Sequence, residues 1–181
     1  MSFLIVNKSI FDIQADAYCN SINSCGIMGT GVALEFKKRY PQMFDDYKIK
    51  CQENKIKPGD CYVYRDEQTK VYILGLAVKK SWKYWSTKDW IEMSLKSLKL
   101  VILENDIKSV NIPLLGGMNG RRGPFGEVPN MEPPPERKEL KELIRKELEL
   151  FSNKFNINIK LCIPELVIKK PEFDLTQFLE V

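Results

Sequence analysis

Two glycine-rich loops and one lysine carry most of the chemistry this sequence can offer. The loops are Cys25-Gly26-Ile27-Met28-Gly29-Thr30-Gly31 and Gly116-Gly117-Met118-Asn119-Gly120, and each follows a stretch that reads as a β-strand. Glycines let a backbone come close to a ligand and adopt φ > 0. The helix behind the first loop aims its free N–H groups and the positive end of its dipole at the same place, which suits a phosphate. Neither loop carries the GKS or GKT of a Walker A motif, and no GxGxxG follows the first strand, so a Rossmann cofactor is not indicated. The chain has no histidine, which excludes Ser-His-Asp and Cys-His hydrolases and HExxH proteases. Acid, base or nucleophile must come from Asp, Glu, Lys, Cys, Tyr or water. Lys79 ends an apolar stretch and is followed by Lys80 and Lys83. An amine attacks only when neutral, and neighbouring like charges favour that form.

From Lys79 to Trp90, the cations Lys80, Lys83 and Lys88 alternate with Trp82, Tyr84, Trp85 and Trp90, which include all three tryptophans of the chain. Cations track phosphates and aromatic rings stack on bases. Lys80, Trp82, Lys83 and Lys88 are therefore read as nucleic-acid contacts. Cys25 lacks a histidine to activate it and is read as a small buried loop residue. The five cysteines are odd in number and form no CxxC, so neither a disulfide framework nor a four-cysteine zinc site is expected. No metal-ligand spacing stands out, and no cofactor is expected.

These groups need a scaffold. Strands are expected at Phe3–Val6, Ala17–Asn23, Cys61–Arg65, Lys70–Val78, Ser109–Leu114 and Ile157–Ile163. Helices are expected from Val32 to Arg39, from Pro41 through Cys51, after Ser86, and across Leu140–Phe151. The Ser86-Thr87-Lys88-Asp89 run fits a capping box with Ser86 as the cap. Ile91, Leu95, Leu98 and Ile102 share one face of the helix it opens. Glu142 and Lys146 are spaced as an i,i+4 pair. Strands alternating with amphipathic helices imply an α/β fold with a mixed, mostly parallel sheet.

Length and composition agree with one soluble domain. The chain has 181 residues, 44% hydrophobic and 29% charged, with a net charge of +4. No apolar run is long enough to span a membrane, and no signal segment is evident. A reduced, cytoplasmic monomer is expected.

The run Ala15-Asp16-Ala17-Tyr18-Cys19-Asn20-Ser21-Ile22-Asn23, the loop Cys25–Ala33 and the segment Phe36-Lys37-Lys38-Arg39-Tyr40-Pro41 resemble the macro-domain family. That family carries an ADA-x-V-N-x-x-N strand, a GVMGKGLA loop and an FKKRFP helix end. Ile112–Gly120 resembles its second glycine loop. The resemblance covers residues 1–163, with 164–181 as a tail packed on or extending the domain. It implies a three-layer α/β/α fold that binds ADP-ribose. By that likeness Gly29, Thr30, Gly31 and Val32 take the pyrophosphate and Asn23, with Asn20 beside it, holds the distal ribose. Leu115, Gly116, Gly117, Met118, Asn119 and Gly120 wrap the diphosphate, and Ser9 and Ile10 lie at the adenine. Ser9 stands where the family usually has an aspartate.

Leu76-Ala77-Val78-Lys79-Lys80-Ser81-Trp82 is similar to the FPTK-x-HW stretch of the DNA ADP-ribosyl glycohydrolases, antitoxins that reverse a toxin's modification of DNA, and of the terminal ADP-ribose glycohydrolases. In both, the lysine matching Lys79 is catalytic. The second group also uses an aspartate where Gly120 stands, so the likeness favours the DNA-directed branch. It implies Lys79 and Asn23 as catalytic residues, ADP-ribosylated DNA as substrate and a toxin as partner. An ADP-ribose-1″-phosphatase, a non-catalytic ADP-ribose reader and a nucleic-acid-binding module are the alternatives.

Overall fold

The computed structural model describes residues 3–116 and 136–164. Six strands form one sheet: β1 (Phe3–Val6), β2 (Ala17–Asn23), β3 (Cys61–Arg65), β4 (Tyr72–Lys79), β5 (Ser109–Pro113) and β6 (Asn158–Cys162). Their order is β1-β6-β5-β2-β4-β3, and only the β3–β4 pair is antiparallel. The helices are α1 (Gly31–Arg39), α2 (Pro41–Gln52), α3 (Lys88–Glu104) and α4 (Arg137–Phe155).

Side chains alternate along each central strand and so build two cores. On β2 and β4, Tyr18, Ile22, Ile73 and Ala77 pack with Phe36 of α1 and with Met43 and Tyr47 of α2. Cys19, Leu74, Leu76 and Val78 point the other way, onto Ile91, Leu95, Leu98 and Ile102 of α3 and Leu140, Ile144 and Leu148 of α4. The result is the three-layer α/β/α arrangement expected from the sequence. Pro41 opens α2 at its first turn, where a missing N–H costs nothing. Burial pushes the Cys61 thiol up to about 12 and the Cys162 thiol up to about 11, and holds the Cys19 thiol well above its ordinary range, so these cysteines are inert packing groups.

Two local expectations are corrected. The cap of α3 is Thr87, whose side chain accepts from the Trp90 N–H at 3.3 Å. Ser86 is instead buried beneath Gly116, whose φ of +65° leaves no room for a side chain against Ser86 and Ile91. Tertiary packing has moved the helix start by one residue. On α4, Glu142 pairs with Arg145 at 2.7 Å and not with Lys146, because the guanidinium reaches Glu142 and Glu149 together. Gly117 to Gly120 and the tail from Glu165 lie outside the described residues, as does most of the 116–135 loop.

Gly75 sits in the middle of β4, crowded by side chains of its neighbours β2 and β3. A Cβ there would stand 2.7 Å from Ile22 Cδ1 and 3.0 Å from Tyr62 Cδ1. Gly75→Val is expected to cost about 1–3 kcal/mol, the usual penalty of overpacking. Urea unfolding reads this as a lower midpoint at unchanged slope; an unchanged midpoint would contradict the packing described.

Candidate active site

The sheet is parallel except at one edge, so the carboxyl ends of β1, β2, β4, β5 and β6 share one rim. The rim is where α/β sheets bind ligands. It gathers the turn after β1, the Cys25–Thr30 loop after β2, the segment after Lys79 and the start of the second glycine loop.

Asn23 ends β2 and organises the first loop. A register irregularity between Ile22 and Asn23 sets Asn23 opposite Lys79, skipping Val78. Bulges commonly re-aim side chains beside functional sites. The Asn23 Oδ1 accepts from the Cys25 N–H at 3.0 Å, from the Ile27 N–H at 3.3 Å and from the Cys25 Sγ at 2.9 Å. Its Nδ2 donates to the Ile27 carbonyl at 2.6 Å. From α2, the buried Tyr47 hydroxyl donates to the Asn23 carbonyl at 2.6 Å and also lies 3.1 Å from Oδ1. Burial holds the Tyr47 phenol far above its ordinary pKa, so it remains a donor at any working pH. The helical spacing of Tyr47 marks it as core; nothing in the sequence marks its hydroxyl as the brace of the loop.

Cys25 is exposed, which corrects the expectation that it is buried. The inward places of the loop belong to Gly26, with φ +80° against Cys51, and to Met28. Asn20 is fully buried, its Nδ2 3.7 Å from the Met28 sulfur and its Oδ1 without a hydrogen-bond partner. It supports Met28 from below.

The loop delivers the chain to α1 with an open N-terminus. Gly31 takes φ +58°, Thr30 makes no side-chain cap, and the first turn holds no acid. Among the described residues no side chain caps the leading N–H groups of α1, which lie at the positive end of its dipole. Gly29 and Thr30 are exposed beside them. A Cβ on Gly29 would meet only Ile27 Cγ2, at 3.9 Å, so the space before the helix is open.

Lys79 ends β4 half-buried. Desolvation lowers its pKa, partly opposed by Cys25. The neighbouring lysines were expected to do this; burial at the strand end does it instead. The Lys79 carbonyl accepts from the Ser24 N–H at 3.1 Å and the Lys80 carbonyl from Ser24 Oγ at 3.0 Å, tying the two strand ends together.

Ser9 caps a 3₁₀ turn, Ile10–Asp12, in a capping box with Asp12. Asn111 on β5 pins that turn to the sheet, donating to the carbonyls of Ile10 at 2.9 Å and Ile13 at 2.6 Å. Ile10 and Leu115 are themselves core residues, so each can offer a ligand only its backbone. Trp82 is 41% exposed with Lys83 over its ring at 5.8 Å. Trp85 is buried, and Lys88 lies 3.8 Å from Glu92 on α3. Among the described residues no group of three His, Cys, Asp or Glu is placed to hold a metal, and no helix is long and apolar enough to cross a membrane.

Tyr47→Phe leaves the buried Asn23 carbonyl without its donor. A loss of about 1–3 kcal/mol is expected in chemical denaturation. A neutral result would mean that Tyr47 braces nothing.

The macro-domain family pattern matches residues 19–122. The chain is 32% identical over 117 residues to the DNA ADP-ribosyl glycohydrolase of Thermus aquaticus, covering 64% of this chain and 32% of that protein. It is 37% identical over 109 residues to the Mycobacterium tuberculosis protein of the same name, covering 59% of this chain and 31% of the relative. The chain thus spans about a third of the length of these relatives. Among solved structures, the macrodomain of Mycobacterium tuberculosis DarG superposes with a TM-score of 0.75 at 25% identity, covering 90% of this chain and 97% of that one. With the pattern spanning more than half its length, the chain belongs to the macro-domain family.

Proposed function

We propose that this protein binds ADP-ribose across the sheet rim and hydrolyses it from ADP-ribosylated DNA. The observation that carries this reading is the register of Asn23 opposite the half-buried Lys79, on the rim that also carries the N-terminus of α1, which has no side-chain cap. The relatives, DNA ADP-ribosyl glycohydrolases by name, support the substrate.

In this reading the pyrophosphate lies before Gly29–Val32, against the leading N–H groups of α1. Leu115 and Gly116 begin the second glycine loop, which the family likeness assigns to the diphosphate. The turn at Ser9 and Ile10 lies at the adenine, held in place by Asn111. The loop stitched by Asn23 sets the distal ribose beside Lys79. The neutral Lys79 amine attacks C1″, the bond from C1″ to the DNA base breaks, and the base leaves with the electron pair and takes up the proton the amine gives up; the ribose ring then opens, its oxygen taking the remaining amine proton, to leave an imine between Lys79 and C1″. Water then hydrolyses the lysine adduct, releasing ADP-ribose and restoring the amine. The protein that adds the modification would be the toxin partner of this one.

Gly29→Glu places a negative side chain in open space, so the fold should persist by circular dichroism while ADP-ribose affinity falls more than tenfold by calorimetry. Unchanged affinity would put the phosphates elsewhere. Lys79→Ala should abolish release of ADP-ribose from modified single-stranded DNA and leave ADP-ribose affinity within about threefold, since the amine acts mainly in the transition state. In the parent, turnover should rise with pH as the amine loses its proton, levelling off below the range of an exposed lysine. Full activity in Lys79→Ala, or faster release of phosphate from ADP-ribose-1″-phosphate than of ADP-ribose from DNA, would overturn the assignment.

A further inference from the structure

Beside the Asn23–Lys79 corner three segments enclose a second opening. Ser24 and Cys25 come from the first loop, Lys57 from the connection between α2 and β3, and Lys80, Lys83 and Tyr84 from the connection between β4 and α3. The groove holds about 490 Å³, within the ~300–1,000 Å³ usual for ligand clefts. Among the described residues no carboxylate lines it. The nearest acid in sequence, Asp60, is turned onto the Lys57 backbone N–H at 2.7 Å. Among the described residues neither Lys57 nor Lys80 has a carboxylate within ion-pair distance, whereas Lys38, Lys50, Lys55, Lys70, Lys88 and Lys99 all do.

We infer that this groove holds the sugar-phosphate backbone of the nucleotide flanking the modified base, with Lys57 as a specificity-determining residue. Three cations in a groove whose described lining holds no carboxylate fit a polyanion, and Tyr84 offers a ring to a base. The position fits as well. Ser24 bonds to the Lys79 and Lys80 carbonyls, so the groove and the proposed catalytic lysine share one corner. A strand whose modified base reaches Lys79 runs directly into it. Lys57, about twenty residues before Lys79 in the chain, joins only through the fold. This inference deepens the reading above and rests on it for the identity of the substrate.

The test compares the parent with Lys57→Glu, an exposed site with no buried side chain to disturb. Lys141→Glu on α4, across the sheet, is the matched charge control. Anisotropy of a labelled, unmodified single-stranded oligonucleotide reads binding as a function of salt. Lys57→Glu should weaken it at least tenfold at low salt and flatten the slope of log K against log salt by about 0.7 or more, the contribution of one phosphate contact. Lys141→Glu should leave both within twofold. Kinetics then compare an ADP-ribosylated oligonucleotide, an ADP-ribosylated nucleoside without flanking phosphates, and an ADP-ribosylated peptide. Lys57→Glu should lower kcat/KM tenfold on the oligonucleotide alone. Equal losses in the two charge variants, no oligonucleotide binding by the parent, or an equal slowing on the peptide would overturn the inference. Oligonucleotide binding lost in Lys57→Glu, with no hydrolysis by the parent of any substrate, would uphold the groove and overturn the proposed reaction. Hydrolysis of both DNA conjugates untouched by Lys57→Glu would do the reverse.

Discussion

One side-chain amide holds the rim of this protein in shape. Asn23 accepts from two loop N–H groups and returns a hydrogen bond to the Ile27 carbonyl, while Tyr47 secures its backbone from the helix layer. A loop this rich in glycine has much conformational freedom to lose on folding. Distributing several hydrogen bonds over one buried amide offsets that cost and leaves the loop in a single form. The open N-terminus of α1 follows from it, because the same loop sets where α1 begins. So does the position of Lys79, since the irregular pairing that seats Asn23 is made against the end of β4.

The rim also bears an electrostatic cost. Half-burying a lysine at a strand end disfavours its charge, and the pKa falls accordingly. Lys57 and Lys80, by contrast, extend into water. The two kinds of lysine then divide the work of the proposed function. Burial favours the neutral form of Lys79, while the exposed groove lysines meet the polyanion. That division explains how one small, histidine-free domain could combine nucleophilic chemistry with capture of a nucleic acid.

Much of this was legible in the sequence. The run from Ala17 to Asn23, the glycine loop and the placement of Lys79 after an apolar strand define β2, α1 and the end of β4 from periodicity and breakers alone. What stayed hidden depends on contacts distant along the chain. Tyr47 looks like an ordinary core residue until α2 is docked under Asn23. Asn111 is read as part of a buried strand, yet it fastens a turn 98 residues away to the sheet. Ser86 and Thr87 are equally good caps by type; the packing of Ser86 under Gly116 decides between them. Cys25 reads as inward because no histidine is present to activate it, but Gly26 and Met28 take the inward positions. Lys57 carries no local signal, and only the fold brings it to the groove.

The proposed chemistry turns on the half-buried Lys79 attacking the ribose that the Asn23 loop presents. Trapping tests it most directly. The protein is incubated with ADP-ribosylated DNA in the presence of borohydride, and any covalent adduct is mapped by mass spectrometry of the digested chain. The account predicts a reduced ADP-ribosyl adduct on Lys79 in the parent protein and no adduct at that peptide in Lys79→Ala. Full turnover with no adduct at Lys79, or adducts spread over Lys80, Lys83 and other exposed lysines to the same extent, would contradict it.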